Sequence, residues 1–369
     1  MSSIPFLDLS RQTARLRSEI LSALERVIDD NAFSSGPYVE GFEKAFAEYL
    51  GVPHVVAVNS GTSALHLIMR ALDIGPGDEV IIPSWTFIAT AWAPMYVGAR
   101  PVFADVDPRT WQIAPEDVER KITRRTKAII GVHIYGQTFD LDRLEQIARD
   151  RGIYLVEDAA QSHGALYRGR KTGTFGVVNA FSFYPTKNLG SMGEGGAVAT
   201  FDEELAYRIR ILRNHASPRR YEHVELGYNM RMTGFQGAVL SVKLKYLDEW
   251  NARRREIARM YREGIRNPLV EFQKEYPDSA GVYHIFAVRV RDGMRDRLKD
   301  YLAERGIGTG IYYPIPVHLQ KPFREMGWKA GDLPETERLS KEILALPMFP
   351  ELTDEEVNRV IDAVNGFGR

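Results

Sequence analysis

Tyr154-Leu155-Val156-Glu157-Asp158-Ala159-Ala160-Gln161-Ser162-His163-Gly164 is the stretch on which the fold turns. Three apolar residues suit a buried strand, and two carboxylates, an amide and an imidazole follow at once. An aspartate there is also a good helix N-cap, so Asp158 alone stays open between a cap and a functional group. Upstream, Ala128-Ile129-Ile130-Gly131-Val132 forms a second strand, and residues 141–149 between the two have helical spacing. Strand, helix and strand at this interval predict parallel neighbours joined by a crossover helix.

The rhythm extends toward the N-terminus. Residues 55–58, 79–82 and 101–104 read as strands, and residues 64–72 and 88–96 as the helices between them. Two further helices precede these, over 12–29 and 38–49, with a turn at Ser34-Ser35-Gly36-Pro37. The fold class is α/β, with a mostly parallel central sheet covered by helices. Ligands on such sheets sit beyond the carboxyl ends of the strands.

Later the pattern changes. Residues 235–263 read as one long helix, 282–290 as a strand and 294–304 as a helix. An aromatic, proline-rich loop covers 311–322, and Thr353 is placed to cap a last helix over 354–364. The expected division is a large domain over 1–245 and a smaller C-terminal α/β domain over 246–369.

Composition narrows the chemistry. The chain has 369 residues, 44% hydrophobic and 26% charged, as in ordinary soluble proteins. It has no cysteine, which excludes disulfides, thiolate metal sites and thiol nucleophiles. Lys plus Arg is 48 against 49 for Asp plus Glu, giving a net charge of -1 and no sign of nucleic-acid binding. Charged residues interrupt every apolar run below spanning length, and the start lacks signal-peptide order. These features predict a cytoplasmic enzyme that is not bound to a membrane. The eight histidines show no His-Glu-x-x-His spacing, so no metal site is expected. Gly306-Ile307-Gly308-Thr309-Gly310 is followed by no helix start and is not a dinucleotide loop.

Three loops at strand ends carry chemistry together. Asn59-Ser60-Gly61-Thr62-Ser63 opens a helix with free N–H groups and hydroxyls, suiting a phosphate. Glu157 to His163 supplies the carboxylates. Phe181-Ser182-Phe183-Tyr184-Pro185-Thr186-Lys187 supplies a hydroxyl and an amine. A phosphate cradle, an aspartate and a lysine are what pyridoxal 5'-phosphate needs. The lysine carries the cofactor, the carboxylate keeps the ring nitrogen protonated, and an aromatic side chain covers the ring.

On these motifs the sequence resembles the sugar aminotransferases of the DegT/DnrJ/EryC1/StrS family, fold type I pyridoxal-phosphate enzymes. The likeness runs from Pro5-Phe6-Leu7-Asp8-Leu9 to Leu346-Pro347-Met348-Phe349-Pro350. It includes Pro83-Ser84-Trp85-Thr86-Phe87, Gly227-Tyr228-Asn229-Met230-Arg231-Met232 and Tyr313-Pro314-Ile315-Pro316-Val317-His318. The resemblance implies that Lys187 is the Schiff-base lysine and proton shuttle, and that Asp158 pairs with the pyridine nitrogen. Gln161 would bond the phenolic oxygen, and Phe87, or Trp85 two residues earlier, would stack on the ring. Gly61, Thr62, Ser63 and Ser182 would hold the phosphate. Asn229 would reach the phosphate of a neighbouring subunit, implying a homodimer with shared active sites. His163, Tyr184, Arg231, Tyr313 and His318 are candidate substrate residues; Arg231 is open between a donor carboxylate and the subunit interface.

The implied reaction moves an amino group from an amino acid, L-glutamate, to a nucleotide-linked keto-sugar. Residues 182–190 and the Tyr313 to His318 loop look like members acting at C-3. Residues 227–232 look like members acting on 4-keto sugars or cyclitols; C-3 is the preferred reading. Family members with histidine in place of the lysine are dehydratases, which Lys187 argues against. A non-catalytic regulator on the same fold is the remaining alternative.

Overall fold

Hydrophobic strands buried on both faces organise the computed structural model, which describes residues 3–368. The outer ends of the two expected domains, residues 1–2 and 369, lie outside it. The main sheet contains β1 (His54–Val58), β2 (Glu79–Pro83), β3 (Arg100–Ala104), β4 (Thr126–Val132), β5 (Tyr154–Asp158), β8 (Val178–Ser182) and β9 (Gly196–Thr200). Their order is β1-β9-β8-β5-β4-β2-β3. Only β9 runs against its neighbours; every other neighbouring pair is parallel. The loop from β8 back into β9 carries Lys187, so this reversal sets the lysine at the carboxyl ends of the parallel strands.

Alternation assigns the two faces. Val56 and Val58 pack with α3 (Gly61–Ala71), α4 (Ala89–Tyr96) and α7 (Glu203–Leu212). Val55 and Ala57 pack with α2 (Pro37–Leu50) and α8 (Gly234–Leu244) on the opposite face. There α5 (Pro115–Lys121) and α6 (Leu141–Arg151) cover Ile81, Ile129 and Leu155. A small sheet of β6 (Leu166–Tyr167), β7 (Arg170–Lys171) and β11 (Ser279–Ala280) flanks this body.

A second core surrounds the antiparallel sheet β10 (Val270–Phe272), β12 (Phe286–Val290) and β13 (Ile343–Leu346). Tyr261, Val288, Leu298, Leu344 and Val360 meet there. They bring together α9 (Leu247–Gly264), α10 (Arg295–Glu304) and α13 (Asp354–Gly366). The short α11 (Lys321–Glu325) and α12 (Pro334–Glu342) lie between the cores. Ile4 joins the second core, held by backbone bonds to Gly306 and Gly308 at 2.8 Å each.

Three expectations need correction. The helix expected over 235–263 is two helices, interrupted at Lys245 and Tyr246, where Tyr246 N–H reaches Lys243 O in a tighter turn. The break redirects the chain: α8 packs on α1 (Ser10–Asp29), whereas α9 carries Trp250 into that contact and Tyr261 into the second core. The strand expected over 282–290 begins only at Phe286. Val282 N–H is taken by Gly136 O, and Tyr283 has φ 43°, outside extended geometry. The sequence reading also gives no range for β6 to β11 or for β13, which include β8 and β9 of the main sheet. The last helix does start where Thr353 caps it, with Glu356 closing a capping box.

Candidate active site

A cavity of about 630 Å³ opens at the carboxyl ends of the parallel strands. The first turn of α3 forms one wall. Its N-cap Ser60 accepts the Ser63 N–H through Oγ (3.1 Å) and the Ala64 N–H through its carbonyl (3.0 Å). Helix geometry leaves the preceding N–H groups, those of Gly61 and Thr62, without an intrahelical acceptor at the positive end of the helix. Glycine is required here. A Cβ on Gly61 would lie 2.7 Å from Ser182 Cβ, so only its absence lets α3 meet the end of β8. Two N–H groups and the Ser182 hydroxyl thereby converge on one anion-sized space. Ser63 does not line the cavity; its hydroxyl lies 2.9 Å from Ser60 Oγ, inside the cap.

Opposite the cradle, Asp158 ends β5 and is 5% exposed. Its carboxylate accepts from Thr90 Oγ1 (2.8 Å) and from the Ala160 N–H (3.2 Å). Burial raises its pKa, while Thr90, Ala160, Lys187 and His133 act in the other direction. Thr86 Oγ1 sits 2.9 Å from Thr90 Oγ1; with the Thr90 proton committed to Asp158, Thr86 donates to Thr90 and Thr90 to the carboxylate. Gln161 is oriented by Tyr135 N–H at 2.7 Å and donates to Tyr313 Oη at 3.3 Å. Lys187 lies in the same cavity. Burial pushes its amine down to about 8, with the Asp158 carboxylate pulling the other way. A substantial neutral fraction near neutral pH is what a nucleophilic amine needs.

Phe87 is 55% exposed and lines the cavity. Trp85 is 1% exposed, does not line the cavity, and spends its N–H on Tyr135 Oη at 3.0 Å. Tyr184 and Tyr313 also line the cavity.

The remaining candidates lie elsewhere. His163 is fully buried between Phe181 (5.5 Å) and Phe183 (5.6 Å), beside the Ser182 backbone. Burial, then the Lys187 charge, push its pKa down to about 3. His318 is fully buried too, held by Ser84 Oγ at 2.7 Å and Glu337 at 3.2 Å. Neither ring reaches the cavity, so direct substrate contact by these two is corrected to wall packing and loop bracing. Asn229 is exposed and bridges to Asn214, which also accepts from Arg231 at 2.8 Å; neither Asn229 nor Arg231 lines the cavity of its own chain. Glu157 faces away, bonded to His133 at 2.7 Å and to the Gly173 and Phe175 N–H groups.

The candidate residues do not include Thr90, Glu194 or His284 of the cavity wall, whereas Tyr312 lies in the expected aromatic, proline-rich loop over 311–322. Thr86 and Thr90 carried a usable signal, a four-residue spacing beside a strand end. His284 carried none, because only tertiary contact brings its segment to the strand ends.

The donor set fits pyridoxal phosphate: N–H groups and a hydroxyl for a phosphate, a buried carboxylate for a ring nitrogen, an amine and an exposed aromatic face. Among the described residues no group of three His, Asp or Glu could hold a metal ion. Comparison with known proteins agrees. Residues 14–365 match the DegT/DnrJ/EryC1/StrS aminotransferase family. A protein of Geobacillus stearothermophilus named a pleiotropic regulatory protein is 42% identical over 368 residues, covering 100% of this chain and 99% of its own. The dTDP-3-amino-3,6-dideoxy-alpha-D-galactopyranose transaminase of Aneurinibacillus thermoaerophilus is 46% identical over 365 residues, 99% of each chain. The crystal structure of DesV from S. venezuelae superposes with a TM-score of 0.97 at 45% identity, covering 99% of this chain and 98% of that one. Fold, cradle and sequence agree: the chain belongs to the DegT/DnrJ/EryC1/StrS aminotransferase family, whose cofactor is pyridoxal phosphate.

Proposed function

We propose that this chain transfers an amino group from L-glutamate to C-3 of a nucleotide-linked keto-sugar. The observation that carries the aminotransferase reading is the convergence of Lys187, Asp158 and the α3 N-terminus on one cavity. The preference for C-3 rests on the relative from A. thermoaerophilus, whose printed name is that of a 3-amino-sugar transaminase.

Bound pyridoxal phosphate supplies an electron-accepting ring that stabilises negative charge on the carbon beside the transferred nitrogen. The chain's residues do the rest. Gly61, Thr62 and Ser182 hold the phosphate, and Phe87 covers one ring face. Asp158 keeps a negative charge at the ring nitrogen. Lys187 Nζ carries the cofactor at rest. Once released, it takes the proton from the amino-bearing carbon of the donor and later delivers one to the sugar carbon.

We further propose the following about its assembly and site. The chain works in the cytoplasm as a homodimer, with the partner subunit's Asn229 reaching each phosphate. Arg231 braces that interface. Tyr184 and Tyr313 contact substrate. The chain divides into 1–245 and 246–369, with Ile4 serving the second unit. No helix among the described residues is long and apolar enough to cross a membrane.

The regulatory name of the G. stearothermophilus relative favours a second reading, a binding protein that retained the fold. L-Glutamate added to the cofactor-loaded protein separates the two. Transamination bleaches the visible band of the lysine-bound cofactor, and a nucleotide keto-sugar then restores it. An unchanged band refutes transamination.

A further inference from the structure

Asn188 follows Lys187 directly and is 3% exposed. Its Nδ2 donates to Asn251 Oδ1 and to Val282 O, both at 2.9 Å. Asn251, 1% exposed on α9, donates its own Nδ2 to His163 O at 2.8 Å. Both amide orientations follow from the partners. The carbonyls of His163 and Val282 only accept, so each amide must turn its NH2 toward one of them, and Asn251 Oδ1 then faces Asn188. The approach is close: a Cβ on Gly164, next to His163, would lie 2.8 Å from Asn251 Nδ2.

Three segments of the cavity wall meet at this chain. Asp158 and Gln161 precede His163 by a few residues, Lys187 precedes Asn188, and His284 and Ile285 follow Val282. Asn251 sits on the helix that continues into the second core, so the anchor is rigid and lies outside the cavity.

We infer that Asn188 and Asn251 are positioning residues that fix Lys187 relative to Asp158 and Gln161. The inference rests on the reading of Lys187 as the cofactor lysine. Neither asparagine touches the cavity; they act through the backbone of the residues that do. A displacement of about 1 Å in such a site costs on the order of 100-fold in rate.

The test uses the full-length protein, loaded with its cofactor for all but the exchange measurement. Asn251→Leu keeps the volume and removes both bonds; Asn251→Asp keeps the acceptor toward Asn188 and sets an oxygen against His163 O. Three readouts are taken: the circular dichroism that the bound cofactor acquires, kcat and KM for the keto-sugar, and amide exchange of residues 282–285 without cofactor. The expected result is an altered cofactor signal, kcat lower by ~10- to 100-fold with KM within ~3-fold, and faster exchange at 282–285. Asn188→Leu should act alike, and the double Leu variant should cost little more than either single one, because the residues share one chain. Should Asn251→Leu fail to fold, Asn251→Asp carries the same expectations. Wild-type dichroism and kcat in a folded variant, or additive losses in the double, overturn the inference. A wild type that shows no lysine-bound cofactor would instead refute the reading of Lys187, and this inference with it.

Discussion

Thr90→Val removes a hydroxyl that donates to Asp158 Oδ2 at 2.8 Å while keeping nearly the same shape. Both groups are buried, and burial already disfavours the ionised carboxyl. Four groups offset that penalty at the carboxylate: Thr90, the Ala160 N–H, and the Lys187 and His133 charges. A hydrogen bond to a charged group contributes about 1.5–3 kcal/mol. At about 1.4 kcal/mol per tenfold, loss of Thr90 costs the ionised form roughly 10- to 100-fold in its equilibrium with the neutral acid. The sign is fixed: the variant raises the pKa of Asp158 further, so the acid limb of the activity profile moves to higher pH. We expect kcat/KM to fall by ~10- to 100-fold on that limb and to recover toward the wild-type value as pH rises. Thr90→Ser keeps the donor and should follow the wild type. The assay is kcat/KM against pH for the three proteins at saturating cofactor. A Val variant with the wild-type acid limb would refute the claim that Thr90 holds Asp158 ionised.

Other predictions address the cradle, the join between the cores and the partner subunit. Gly61→Ala should loosen cofactor binding by ~10-fold, since relieving its 2.7 Å contact with Ser182 pushes α3 off β8 at an overpacking cost of about 1–3 kcal/mol; equilibrium titration with the cofactor reads this. Arg11 meets Glu356 at 2.6 and 2.8 Å, joining α1 to α13, and holds its carboxyl down at about 2. Both groups are partly exposed, so Glu356→Gln should cost only about 1 kcal/mol near neutral pH. Because the carboxyl is depressed on folding, that difference is present above about pH 4.5 and closes as pH falls toward about 2; denaturant midpoints across that range check it. Mixed and refolded Lys187→Ala and Asn229→Ala subunits should recover part of the lost activity, and none in a verified heterodimer would refute the shared site.

The strands and their rhythm were legible because buried parallel strands are nearly continuous apolar runs, as at 128–132 and 154–156. The break at Lys245 and Tyr246 was not, because neither residue is a glycine or proline and the helical spacing continues across it. Its cause is tertiary, a change of packing partner between α8 and α9. The same contrast holds at the site. Asp158 and Ser182 end their strands, and Gly61, Gln161 and Lys187 follow strand ends within five residues, where sequence alone indicates the pocket. His163 shares that neighbourhood yet is fully buried, since adjacency in sequence does not fix which way a side chain faces. Thr90 and Asn251 meet their partners across 68 and 88 residues, and no local pattern records such contacts.

The central claim is tested most directly by the fate of the transferred nitrogen. Cofactor-loaded protein is given L-glutamate labelled with heavy nitrogen and, separately, nucleotide 3-keto and 4-keto sugars, and each product is read by mass and NMR. We predict label bonded to C-3 of the 3-keto sugar, 2-oxoglutarate in equal amount, and neither product with Lys187→Ala. Label on C-4 alone, or turnover that survives loss of Lys187, would contradict it.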